Sequence, residues 1–288
     1  MIEAWLLVAA FAVLLKTGYD ALQKHLTVDY DGLELSYVTS VLGFGCMTPV
    51  GAWYLATADV ALTPGLVGAL LFSGAANVVA IVAFLTALGE EDLSVVSPLV
   101  QSTPVMVAVV EPLVLPVAFD RRVALGALAA VVGAYVLLTD AGDPLAPLRR
   151  LTGRPALLAL AAAALYAGVN VANRFIATQI PPLFYGFLIY LLMAVGFVAV
   201  LSVRLGPRDL PTRALLRPRL GLLGGLTAAR TSVTYVAFSL AAAARVSIVL
   251  QASTQLSVVA GGVLFAEEGL LRRLLGAACI VAGVVATL

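Results

Sequence analysis

Lys16, Glu111 and Arg230 fall well inside long apolar runs of this 288-residue chain, where a polar group is expensive. A charge near the centre of a membrane helix costs roughly 2.5–3.5 kcal/mol on insertion scales, so such groups face a wet cavity or a partner. The planar fork of Arg230 suits bidentate binding of a carboxylate or phosphate. Lys16 adds a second cation, and Glu111 is the principal opposing acid. If Lys16 and Arg230 both face a cavity, one positive charge stays uncompensated and an anionic group on a substrate completes the balance. Glu111 is then the candidate for proton or ion coupling. The plainer alternative is a structural pair, Glu111 with Lys16 or with Arg230, that fixes helix packing.

Residues three or four apart share a helix face, and on that spacing polar stripes recur. Lys16, Tyr19, Asp20 and Gln23 line up, as do Tyr166, Asn170, Asn173 and Arg174, and Ser94, Ser97, Gln101 and Glu111. Thr227, Arg230, Thr231 and Thr234 mark another run, and Ser247, Gln251, Thr254 and Gln255 a further one, while Asn77 stands more alone. Stripes on so many helices predict a common polar cavity. Lone Ser and Thr carry less weight, because they hydrogen-bond between membrane helices routinely at well under about 2 kcal/mol. The substrate-binding candidates are therefore Lys16, Tyr19, Asn77, Gln101, Asn170, Arg230, Gln251 and Gln255.

The elements that position these residues follow from composition. The chain is 62% hydrophobic and 11% charged, against roughly 25% charged in a soluble domain. About 20 apolar residues span the hydrocarbon core, and ten runs of that kind occur, near 3–24, 35–57, 65–88, 94–117, 123–140, 155–178, 183–203, 219–242, 246–266 and 272–288. The first carries Lys16 and Asp20 and no basic leader, so it reads as a span and not as a signal peptide. The fourth holds Pro98, Pro104, Pro112 and Pro116. Each proline removes a backbone donor, which predicts a break around Pro104 and Pro112 with Gln101 or Glu111 aimed inward. Trp5 and Trp53, near span ends, suit the interfacial aromatic belt.

An offset near 150 residues relates the two halves: Gly18 falls on Gly168, Asp20 on Asn170, Gln23 on Asn173 and Lys24 on Arg174. With one-residue slips, Ser102-Thr103 falls on Ser253-Thr254 and Arg121-Arg122 on Arg272-Arg273. The expected organisation is a five-helix repeat over 1–140, a linker loop over 141–154 and a second five-helix repeat over 155–288. Five is odd, so the second repeat must be inverted in the membrane. Inverted repeats are a transporter architecture with the substrate near the midplane. The fold class is thus all-α and membrane-embedded, with ten transmembrane helices in two inverted repeats.

The five-plus-five layout, the Gly126-x6-Gly133 and Gly276-x6-Gly283 spacings, and Phe265-Ala266-Glu267-Glu268 shortly before Gly276 together resemble the drug/metabolite transporter superfamily, specifically its ten-helix EamA-type exporters. One departure is Val117, which stands at the place equivalent to Glu267, where the family usually has an acid; Asp120 and Glu111 are the nearest replacements. The resemblance implies a multi-pass cell-membrane protein exporting amino acids or similar metabolites by alternating access. It also implies coupling to protons, or operation as a facilitator or exchanger.

Other classes find less support. Net charge is +1 with no long basic run, so there is no electrostatic footprint for nucleic acid. Cys46 and Cys279 lie in apolar stretches and build neither a disulfide framework nor a metal site, and no cofactor is expected. A polytopic enzyme acting on a lipid or lipid-linked substrate remains the alternative, but it needs a positioned nucleophile, base or metal. The nearest acidic cluster, Glu90-Glu91-Asp92, has no histidine beside it and reads as a solvated turn. The expected partners are a small-molecule substrate and the lipid bilayer, with a homodimer left open. Counting basic residues places the 141–154 loop in the cytoplasm and the termini outside; the resemblance implies cytoplasmic termini.

Overall fold

The computed structural model describes residues 3–26, 29–58, 60–138, 145, 151–264, 278–279 and 282–286. Among these there is no strand, and the ordered elements are α1 (Ala4–Leu26), α2 (Gly32–Thr57), α3 (Pro64–Glu90), α4 (Leu93–Val100), α5 (Thr103–Val114), α6 (Arg121–Leu138), α7 (Arg154–Ala177), α8 (Pro182–Leu205), a 3-10 turn (Thr212–Leu216), α9 (Pro218–Leu240) and α10 (Ala243–Leu264). They fall on the first nine predicted runs. The tenth, and with it Glu267 and Gly276, lies largely outside the described residues. Among the described residues, six stretches are long and apolar enough to cross a membrane: Ala4–Gln23, Gly32–Thr57, Pro64–Glu90, Val95–Val114, Arg154–Ala177 and Pro182–Leu205. α9 and α10, which carry two of the polar stripes, are not among them.

Local chemistry explains the element ends. Asp31 and Glu34 form a capping box at the start of α2, each side chain accepting from the other's backbone N–H at 2.7 and 3.2 Å. The proline-rich fourth run is broken, as the prolines predict, but only once. α4 stops at Val100, and α5 restarts at Thr103 with Pro104 in its first turn, where its missing N–H is not needed. Pro112 lies inside α5 without ending it. Leu115, before Pro116, is extended, the conformation that a following proline imposes. Gly206, at φ +99°, closes α8. Trp53 is exposed, in keeping with an interfacial ring, whereas Trp5 is buried and its indole N–H donates to Glu3.

The chain divides into two compact units, one of residues 1–78 and 172–240, the other of residues 79–171 and 241–288. Each unit draws on both sequence halves. In the first, α2 packs along α8, α1 along α9, and α9 also against α2 and α8. Two glycines set how closely these helices approach. A Cβ on Gly43 would stand 2.9 Å from the Tyr190 ring, and one on Gly224 would stand 2.5 Å from Leu42 Cβ. The Phe44 and Phe187 rings stack at 5.4 Å between α2 and α8. Asp31 pairs with Arg204 at 3.0 Å near the ends of these two helices.

In the second unit α5 packs on α6 and α10, and α4 on α6. A buried cluster there joins Ala87, Val96, Leu99, Ala156 and Ala159. Alanine at so many contact points lets backbones come close, which is how membrane helices gain packing when lipid is as apolar as their side chains. Ion pairs link Glu90 with Arg154 and, at 3.7 Å, Asp120 with Arg245.

Overpacking a tight helix contact costs about 1–3 kcal/mol. Gly224→Val should therefore lower the melting temperature of the detergent-purified protein, whereas Gly221→Ala, which meets nothing within 4 Å, should leave it unchanged or slightly raised. Equal melting of the two variants would contradict the packing described.

Candidate functional site

The stripe of α9 gathers a cationic site within the first unit. Arg230 is half-buried, and its guanidinium carbon stands 5.0 Å from the centroid of the Tyr19 ring of α1. A guanidinium over an aromatic face gains about 0.5–2 kcal/mol, more where water is excluded. From α8, the Tyr190 hydroxyl donates to the Thr227 carbonyl at 3.1 Å and lies 2.5 Å from Thr231 Oγ1, so the threonine hydroxyl donates to the phenol oxygen. Asp20, Tyr190 and Tyr235 are within electrostatic reach of the guanidinium.

What Arg230 lacks is an ion pair of its own. None of the ion pairs among the described residues includes it. Arg230 Nε and Thr227 Oγ1, one turn apart on α9, are both buried with no partner at full hydrogen-bond geometry, though the Tyr19 hydroxyl lies near Thr227 and the Tyr190 hydroxyl near the guanidinium. Buried polar atoms are nearly always partnered, so two orphans side by side require an explanation. Lys16 supplies no acceptor; its ammonium is bonded to Asp20 at 2.7 Å, one turn along α1.

A buried polar layer steadies the same helices. The Tyr185 hydroxyl donates to Asn173 Oδ1 at 2.5 Å, Ser73 Oγ lies 3.0 Å from that hydroxyl, and the Tyr185 ring stacks on Tyr235 at 4.0 Å. Arg174 donates to the Phe238 carbonyl at 2.7 Å. These bonds fix the register of α9 against α7 and α8, and so aim Arg230.

The sequence candidates separate between the units. Lys16, Tyr19 and Arg230 come together in the first, where Asn77 Nδ2 donates to the Ser73 carbonyl one turn back at 2.8 Å. In the second unit, Asn170 Nδ2 donates to Ser247 Oγ at 3.1 Å, and Gln251 Nε2 donates to the Gln101 carbonyl at 2.8 Å. That carbonyl is freed by the break between α4 and α5. Gln255 falls on a stretch of α10 whose side chains lie outside the described residues. The sequence does not single out Tyr190 and Tyr235, and it places Thr227 on the α9 stripe but not among the substrate-binding candidates. Tyr190 sits in a run almost without polar residues, and only its position opposite Gly43 hints at its role.

Glu111 is 2% exposed and has a structural role. Its two carboxylate oxygens accept from the backbone N–H groups of Ala243 and Ala244 at 2.6 and 2.9 Å. It thereby caps the N-terminus of α10, where unsatisfied donors and the helix dipole favour an anion. Glu111 also lines a cleft of about 600 Å³ with Val117, Asp120, Arg121, Arg122 and Arg245. Both acids that could replace the one missing at Val117 therefore border the same cleft as Val117.

Fold and site together define an α-helical membrane protein with a cation held among its helices. Residues 3–139 match the model of the EamA-like transporter family. That stretch, just under half of the chain, is similar to this family of the drug/metabolite transporter superfamily. No curated protein matches it in sequence. A solved crystal structure, described only as that of a protein, is similar over 99% of this chain and 96% of its own, with a TM-score of 0.76 at 17% identity. At that identity the likeness concerns the fold.

Hydrogen bonds to a charged group contribute about 1.5–3 kcal/mol each. Glu111→Ala should accordingly lower the melting temperature markedly, and Glu111→Gln, which keeps one acceptor, should lower it less. A wild-type melting curve for the alanine variant would rule out the capping role.

Proposed function

We propose that this protein is a secondary transporter that moves a small anionic or zwitterionic metabolite across the cell membrane by alternating access. The observation that carries this is the Arg230 guanidinium, oriented by Tyr19 and flanked by Tyr190, with a buried donor that no protein group satisfies. A carboxylate or phosphate fits such a donor by charge and by planar geometry. The polar groups of Tyr19 and Thr227 orient the rest of the molecule, as a few fixed polar groups do in most ligand sites. Asn170, Gln101 and Gln251 are kept as substrate-binding candidates in the other unit. The family match supports a carrier over the lipid-modifying enzyme.

The transporter is read as ten spans in two inverted five-helix repeats, 1–140 and 155–288. The ion pairs support that topology. Ten alternating spans put Asp31 and Arg204 on one side, Glu90 and Arg154 on that same side, and Asp120 and Arg245 on the other. Each observed pair thus joins residues at span ends or connections that the topology assigns to a common face.

Two measurements test these readings. In reconstituted vesicles Arg230→Lys keeps the charge and loses the fork, and Arg230→Gln loses both, so transport should fall in both variants and further in the second. Wild-type flux through Arg230→Gln, or preference for a cationic substrate, would remove Arg230 from the site. For orientation, Leu145→Cys in a background of Cys46→Ala and Cys279→Ala should resist an impermeant thiol reagent in intact cells and react after permeabilisation. Labelling of intact cells would place the 141–154 loop outside.

A further inference from the structure

We propose that Lys16, by holding Asp20, sets the charge of the Arg230 site and makes its substrate a net anion with no ammonium group. This rests on the assignment of Arg230 to the substrate and narrows the substrate class within it. A zwitterion such as an amino acid needs two opposite charges from its site, a cation for its carboxylate and an acid for its ammonium. Among the described residues of the first unit, the acids other than Asp20 lie at helix starts or in loops. Glu34 belongs to the α2 capping box, Asp31 pairs with Arg204, Glu3 bonds Trp5, and Asp29 and Asp209 lie in connections. α7, α8 and α9 carry no acid in this unit. Asp20 is the one carboxylate set beside the guanidinium, adjacent in sequence to the Tyr19 ring that Arg230 covers.

Asp20 is not available to an ammonium. Lys16 holds it at 2.7 Å across one helical turn, and both side chains are only 29% exposed, which keeps water from loosening the pair. At the Arg230 site itself Lys16 and Asp20 cancel, and the charge of Arg230 is left over. Arg174, whose guanidinium donates to the Phe238 carbonyl, is a further positive charge in this unit and not a compensating one. A second positive charge arriving on the substrate would meet repulsion from both Arg230 and Lys16 with no partner, and where water is scarce such a mismatch discriminates strongly. Lys16 is in this account a positioning residue. It touches Asp20 and acts on the substrate through it.

The experiment compares ligands of one skeleton, a 2-hydroxy acid and the 2-amino acid with the same side chain, across a series of side chains. Affinity is read by thermal stabilisation of the purified full-length protein and by competition for uptake in vesicles. Wild type should favour the hydroxy acid by roughly tenfold or more, the scale of one uncompensated charge at a partly screened site. Lys16→Met releases Asp20 to receive an ammonium, so the preference should move toward the amino acid, and Lys16→Arg should restore the wild-type ratio. A wild-type preference for the amino acid would overturn the proposal, as would an unchanged ratio in a folded Lys16→Met protein. Failure of the underlying site looks different: neither ligand class would depend on Arg230, and Arg230→Gln would bind both as wild type does.

Discussion

A guanidinium placed among apolar helices must be accommodated by its surroundings, and much of the first unit can be derived from that requirement. Arg230 lies against the Tyr19 face, which couples α9 to α1. Tyr190 couples α9 to α8 through the Thr227 carbonyl and Thr231. For Tyr190 to reach α9 while α8 runs along α2, its ring must lie where Gly43 has no side chain. The glycine, the phenol and the cation are thus successive answers to one problem, the high cost of leaving a charge or a polar atom unmatched in hydrocarbon.

In the second unit the corresponding requirement comes from the backbone. Breaking a helix between α4 and α5 releases carbonyls that lipid cannot satisfy. Gln251 of α10 answers the Gln101 carbonyl, and the start of α10 is in turn answered by Glu111 of α5. Helix α10 thus completes the end of α4, and α5 completes the start of α10.

Much of this was legible before the fold was known. Apolar run length placed the first nine helical regions, because the hydrocarbon thickness fixes how many residues a span needs. Four prolines announced a broken helix, although only the pair flanking Gln101 produced the break, since Pro112 sits where α5 tolerates it. Depth in an apolar run singled out Arg230, and helical spacing placed Tyr19 and Lys16 on one face. Spacing could not show that Lys16 faces Asp20 more closely than anything else, because a local pair and a cavity-facing stripe have the same period. Nor could it reveal what Glu111 does, because a carboxylate that caps a helix more than 130 positions later leaves no local signature. Tyr190 escaped notice for the opposite reason, being one polar atom on a ring that otherwise packs as a hydrophobe.

The way each unit is assembled from distant stretches of chain has a consequence for biogenesis. Residues 1–78 and 172–240 form one unit, so α1 and α2 leave the ribosome well before α8 and α9, the helices they pack against. Until α9 is made, Tyr19 has no guanidinium above it and Gly43 has no ring opposite it. The early helices must then wait in the bilayer with unfinished faces. A chain truncated anywhere before Leu240 would leave neither unit complete, and so would present quality-control proteases with two partial bodies in place of one finished half.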